Sequence, residues 1–125
     1  MKRDLDLMRQ IMLAIEQTNE IPAFTDISQI AQVIESDKYL DIAYNLELLA
    51  EAGMIDAKFY NTIGSRIPMV LVKRLTMDGH DFLDNIRSNN IWDKTKSKIA
   101  DICDSASLDV VAKLAAKIIS SQLGI

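Results

Sequence analysis

His80 is the only histidine in the chain, and Asp78, Asp81 and Asp84 stand within four residues of it. On a helix His80 and Asp84, at i and i+4, share a face and offer an imidazole and a carboxylate, both ligand types for a divalent ion. Two ligands on one turn fall short of a committed site. Carboxylates in a first helical turn have a plainer use, because they complement the positive end of the helix dipole. No metal and no cofactor is therefore expected. Cys103 is the only thiol. It neighbours Ile102 on an apolar helix face with no second histidine to activate it, which predicts a core or interface position rather than a nucleophile. A lone cysteine also excludes an internal disulfide and fits a reducing, cytoplasmic compartment. Gly64-Ser65 reads as a turn, since the chain has no glycine-rich phosphate-binding pattern. An enzyme is not expected.

The charges are more informative. Residues 37–56 carry Lys38 against Asp37, Asp41, Glu47, Glu51 and Asp56, whereas residues 57–76 carry Lys58, Arg66, Lys73 and Arg74 with no acid. The second segment can grip phosphates. Its few charges support only weak, salt-sensitive binding, each phosphate contact adding about −0.9 to the slope of log K against log salt. Phe59 and Tyr60 in the same segment could stack on bases, although strand alternation turns one inward and the other outward. Asp4, Asp6, Glu16 and Glu20, with the acids of 37–56, could imitate a row of phosphates and block a nucleic-acid enzyme. A solvated acidic surface is the simpler reading.

The elements that position these residues follow from periodicity. The chain has 125 residues, 49% hydrophobic and 26% charged, with a formal net charge of −4. That composition suits one ordered domain with a single core. No apolar run approaches the ~18 residues of a membrane span, and the charged start at Met1-Lys2-Arg3-Asp4 is unlike a signal peptide. Leu5, Met8, Ile11, Met12 and Ile15 recur at helical spacing from Asp4 to Thr18. A turn follows at Pro22, and Thr25 or Asp26 can cap the next segment. Ile27, Ile30, Ala31 and Ile34 predict a helix, with a strand as the alternative. Ser36-Asp37 supplies another cap, and Leu40 to Ala52 is strongly helical up to Gly53. Met54 to Thr76 predicts a β-hairpin turning at 61–65, and Thr76-Met77-Asp78-Gly79 opens a further helix that Ser88-Asn89-Asn90 ends. Two more helices lie on either side of Asp104-Ser105-Ala106-Ser107.

Three helices, a hairpin and a helix are the layout of a winged helix-turn-helix. Tyr44-Asn45-Leu46-Glu47-Leu48-Leu49-Ala50-Glu51-Ala52-Gly53-Met54-Ile55 resembles the recognition-helix ending of winged-helix regulators, and Leu75-Thr76-Met77-Asp78-Gly79 resembles their post-wing helix start. The opening at Met1–Arg9, the stretch Gly79–Arg87 and Trp92-Asp93-Lys94-Thr95-Lys96 resemble a family of small bacterial and prophage proteins with no assigned activity, over nearly the whole chain. The resulting expectation is a mainly α fold with a β-hairpin, a winged helix over 1–88 and a helical extension over 89–125. The expected activity is non-enzymatic binding of double-stranded DNA through Lys38, Asn45, Lys58, Arg66, Lys73 and Arg74. The alternative is an acidic protein-interaction adaptor, or a phage-type inhibitor of a nucleic-acid enzyme. No membrane partner is expected. A homodimer is, through Trp92, Leu108, Val111, Leu114 and Ile118, because the terminal helices carry more apolar surface than a small core covers.

Overall fold

The computed structural model describes residues 1–18 and 23–125. The expected turn at Pro22, and Glu20 of the acidic set, lie outside them. Among the described residues six helices and three strands follow in the order α1 (Leu5–Thr18), β1 (Thr25–Asp26), α2 (Ile27–Ile34), α3 (Tyr39–Glu51), β2 (Ile55–Tyr60), β3 (Met69–Leu75), α4 (Met77–Ile86), α5 (Asn89–Ile102) and α6 (Leu108–Leu123). The fold is thus mainly helical with a small antiparallel sheet. The chain forms two compact units, Met1–His80 and Asp81–Ile125.

In the first unit α1 packs on α2, α3 and β3. Met8, Ile11, Met12, Ala14 and Ile15 bury one face of α1, which meets Ile30 and Ala31 of α2 and Ile42, Leu46 and Leu49 of α3 in the core. The alternative of a strand over 27–34 is excluded by a capping box at Asp26. Its carboxylate accepts from the Gln29 backbone N–H, and the Gln29 side chain accepts from the Asp26 N–H, both at 2.9 Å. The turn from α2 to α3 occupies residues 35–38, with Glu35 in the left-handed region at φ 55°. Ser36-Asp37 does not cap α3 as expected. Lys38 is the N-cap, without a side-chain hydrogen bond, and the Ser36 hydroxyl accepts from the Lys38 N–H at 3.2 Å.

The sheet order is β1-β3-β2. The hairpin was expected, but β1 was not. Its two residues pair Thr25 with Val72 and Asp26 with Leu71, so β3 is central. Between β2 and β3 the ladder runs from Tyr60 opposite Met69 to Ala57 opposite Val72, then shifts so that Asp56 faces Arg74. Lys73 is the extra residue of this β-bulge. In an unbulged strand of the same sequence, strict alternation would send Leu75 to the same face as Lys73. With it, Val70, Val72 and Leu75 are all buried, while Lys73 and Arg74 are both exposed.

The corner from α3 into β2 meets the start of α4 within the same unit. Gly53 is left-handed at φ +76°, and Met54 carries the chain into the strand. The Thr76 N–H donates to the Met54 carbonyl at 3.0 Å, and the Thr76 hydroxyl donates to the Gly53 carbonyl. The same hydroxyl accepts from the Gly79 N–H at 3.0 Å and so opens α4. Gly79 lies so close to this corner that a Cβ there would stand 1.9 Å from the Met54 carbonyl oxygen.

In the second unit α6 packs on α5. Ile91, Trp92, Thr95 and Ile99 form the buried face of α5, and Val111 and Ala115 that of α6. The buried Thr95 hydroxyl is satisfied by donating to the Ile91 carbonyl at 2.7 Å. Ser88 and Ser107 cap the two helices by accepting from the N–H groups of Ile91 and Val110. Cys103 is an exposed residue at the C-cap of α5 and Ile102 beside it is also exposed, so the expected core position is not found. The α5 pattern ends one residue before the thiol. Among the described residues no helix is long and apolar enough to cross a membrane.

Candidate functional site

The hairpin gathers most of the expected cations. Lys58 on β2 is opposite the half-buried Leu71, with its neighbours Ala57 and Phe59 turned inward and Tyr60 outward. Lys73 and Arg74 are both exposed because the bulge restarts the alternation between Val72 and Leu75. Arg66 lies in the connecting loop, where Gly64 is left-handed at φ +81°. That loop is closed by the Ser65 hydroxyl, which accepts from the Ile67 N–H at 3.2 Å, and it leaves Ile63 fully exposed at its tip. Among the described residues Lys58, Arg66 and Lys73 make no ion pair or side-chain hydrogen bond. Arg74 is less free. Its guanidinium donates to the Leu75 carbonyl at 3.2 Å, and Asp56 is its cross-strand neighbour.

The third helix supplies less than expected. Asn45 is only 1% exposed and cannot reach a ligand. It lies on the face of Ile42, Leu46 and Leu49, where its Oδ1 accepts from the Asp4 N–H at 3.2 Å and its Nδ2 donates to the Asp41 carbonyl at 2.8 Å. Asp4 in turn begins α1, its carboxylate accepting from the Leu7 N–H at 3.1 Å. Asn45 therefore fastens the start of α1 to α3, and its assignment to nucleic-acid contact is withdrawn. Lys38 is exposed at the N-cap of α3. The accessible side of that helix otherwise presents Tyr39, Leu40, Glu47 and Glu51.

The five residues expected at a dimer interface divide. Trp92 is 3% exposed and Val111 0% in the single chain, so neither offers surface to a second copy, and both are corrected to core positions. Leu108, Leu114 and Ile118 are half-buried. His80 and Asp84 are exposed, and among the described residues no group of three or more His, Cys, Asp or Glu is placed to hold a metal ion.

The bulge escaped sequence reading, although it leaves a signal. Lys73-Arg74 are two successive polar residues between the inward Val72 and Leu75, which an unbroken strand cannot accommodate with both apolar residues buried. Asn45 also carried its own signal, at i+3 from Ile42 and i−4 from Leu49 on one apolar stripe.

No solved structure matches the chain. It is similar to an uncharacterized protein of Haemophilus influenzae strain Rd, 33% identical over 124 residues that cover 98% of this chain and 99% of the relative. A family model described as a hypothetical protein, DUF2513, matches residues 2–105. With a match of that extent and a relative of that identity over its full length, the chain belongs to the DUF2513 family.

Proposed function

We propose that this protein is a non-enzymatic winged-helix module that holds double-stranded DNA by its phosphates through the β2–β3 hairpin rather than through α3. The winged-helix reading is supported by the order α1-β1-α2-α3-β2-β3, by the four-residue turn 35–38 between α2 and α3, and by a hairpin closed against β1. The observation that carries the binding surface is the set of exposed hairpin cations Lys58, Arg66 and Lys73, none of which makes an ion pair among the described residues. The bulge adds the exposed Arg74 beside Lys73 while keeping Leu75 buried.

The acidic outer side of α3 argues against insertion into a major groove, where each carboxylate would meet the phosphate potential with the wrong sign. Phosphate contacts fix position and carry no base information, so the module binds without marked sequence preference. The adaptor reading is favoured by a different feature, the exposed Tyr39 and Leu40 beside Glu47 and Glu51 on α3.

The test is an anisotropy titration of random duplex across a salt series, comparing the natural chain with the K58A/R66A/K73A variant. If all three residues neutralise phosphates, the slope of log K against log salt flattens by roughly 2.7. An unchanged slope, or no binding by the natural chain at low salt, refutes the hairpin as the binding surface.

A further inference from the structure

The second unit carries a feature that the hairpin reading does not use. Lys94, Ser97 and Lys98 of α5 and Leu114, Lys117 and Ile118 of α6 line a surface groove of about 580 Å³ between the two helices. The three lysines are exposed, and among the described residues none of them makes an ion pair. Leu114 and Ile118, one turn apart on α6, form a half-buried apolar strip in the same groove. The lining contains no carboxylate. By contrast, Lys113 on the same helix is already paired with Asp109 at 2.9 Å, one turn away.

We propose that this groove docks an acidic amphipathic helix of a partner protein, whose carboxylates pair with Lys94, Lys98 and Lys117 and whose apolar stripe covers Leu114 and Ile118. The argument is charge complementarity combined with shape. Two packed helices leave a groove that a third helix fills by ridge-into-groove packing, and residues at i, i+3, i+4 and i+7 of that third helix reach the apolar strip. Lysine rims around an apolar strip select acidic flanks, which raise the association rate and reject basic helices. A symmetric pairing of two copies through this face would bring the lysines of both together, so a second copy is the wrong occupant. A nucleic acid would satisfy the lysines but leave Leu114 and Ile118 uncovered. This proposal is independent of the hairpin's role.

The experiment uses the full chain and labelled synthetic 14-residue peptides, the length of α5. One peptide has leucines at i, i+3, i+4 and i+7 with glutamates elsewhere. The second has lysines in place of the glutamates, and the third keeps the glutamates with serines in place of the leucines. The first is expected to bind. The other two should bind at least about tenfold more weakly. The K94E/K98E/K117E variant changes only exposed side chains; it should lose the first peptide by a similar factor while keeping its far-UV circular dichroism.

Failure of the first peptide to bind, equal binding of the serine peptide, or unaltered binding by the folded variant overturns the proposal. Two controls test other occupants. Duplex DNA or phosphatidylserine vesicles that bind the natural chain, fail to bind the triple variant and displace the first peptide would assign the groove to a polyanion instead. A dimer by light scattering that the triple variant abolishes would assign it to a second copy. Either result refutes the acidic-helix assignment.

Discussion

Replacing Gly79 with alanine tests how the hairpin base is held. In an isolated helix this change is favourable by about 1 kcal/mol, because glycine is the poorer helix former. Here the new Cβ would stand 1.9 Å from the Met54 carbonyl oxygen, against the 3.0 Å below which real Cβ contacts essentially never fall. One partner must retreat by about 1 Å, and neither can do so cheaply. Met54 is held on one side by its N–H, which donates to the Leu49 carbonyl at 2.9 Å, and on the other by its carbonyl, which accepts from Thr76 at 3.0 Å. Overpacking of this kind costs about 1–3 kcal/mol. Losing the Thr76 bonds to Met54 and Gly53 costs about 1 kcal/mol each. After the helix-propensity gain is subtracted, Gly79→Ala should destabilise the chain by about 2–4 kcal/mol. In urea denaturation followed by far-UV circular dichroism, the midpoint should fall by about 1–2 M. A variant as stable as the natural chain, or more stable, would refute the close approach, because propensity alone predicts that outcome.

Asn45→Ala should cost about 1–3 kcal/mol by removing the two part-buried hydrogen bonds that tie the Asp4 N–H and the Asp41 carbonyl to the side chain, measured by the same denaturation; the salt dependence of duplex binding should be unchanged. Asp26→Ala removes the acceptor of the α2 capping box and should lower stability by about 0.5–2 kcal/mol, with amide exchange quickening first at Gln29. Loss of the three free hairpin cations should flatten the salt slope of duplex binding, whereas Arg74→Ala alone should change it less than Lys73→Ala, because the Arg74 guanidinium is already engaged by the Leu75 carbonyl.

Periodicity made α1, α3 and the hairpin legible because each buries a long, regular apolar stripe. Residues 27–34 were ambiguous by pattern, and the reciprocal Asp26 and Gln29 bonds decide for helix. Strand β1 could not be read locally. Two residues have no period, and Thr25-Asp26 becomes a strand only by pairing with Val72 and Leu71, far along the chain. The basic character of the hairpin was a matter of counting, but which cations are free depended on register. Alternation alone exposes Lys73, while the bulge turns Arg74 outward beside it and sets it opposite Asp56. For Asn45, residue type suggested a polar probe while its place on the apolar stripe pointed inward, and position prevailed because two backbone groups satisfy the amide. For Trp92 and Val111, apolar content alone cannot distinguish an inner helix face from an outer one, and both are buried.

The extra residue in β3 has a consequence for how this sequence tolerates length change. A bulge residue is one the ladder does not count, so deleting Lys73 would leave Val72, Arg74 and Leu75 facing as they do now and would regularise the strand. Deleting Leu71 or Val72 instead would invert a stretch of strand and expel buried side chains. The hairpin can thus shed or acquire one cation as a single-codon event while the core beneath it keeps its frame.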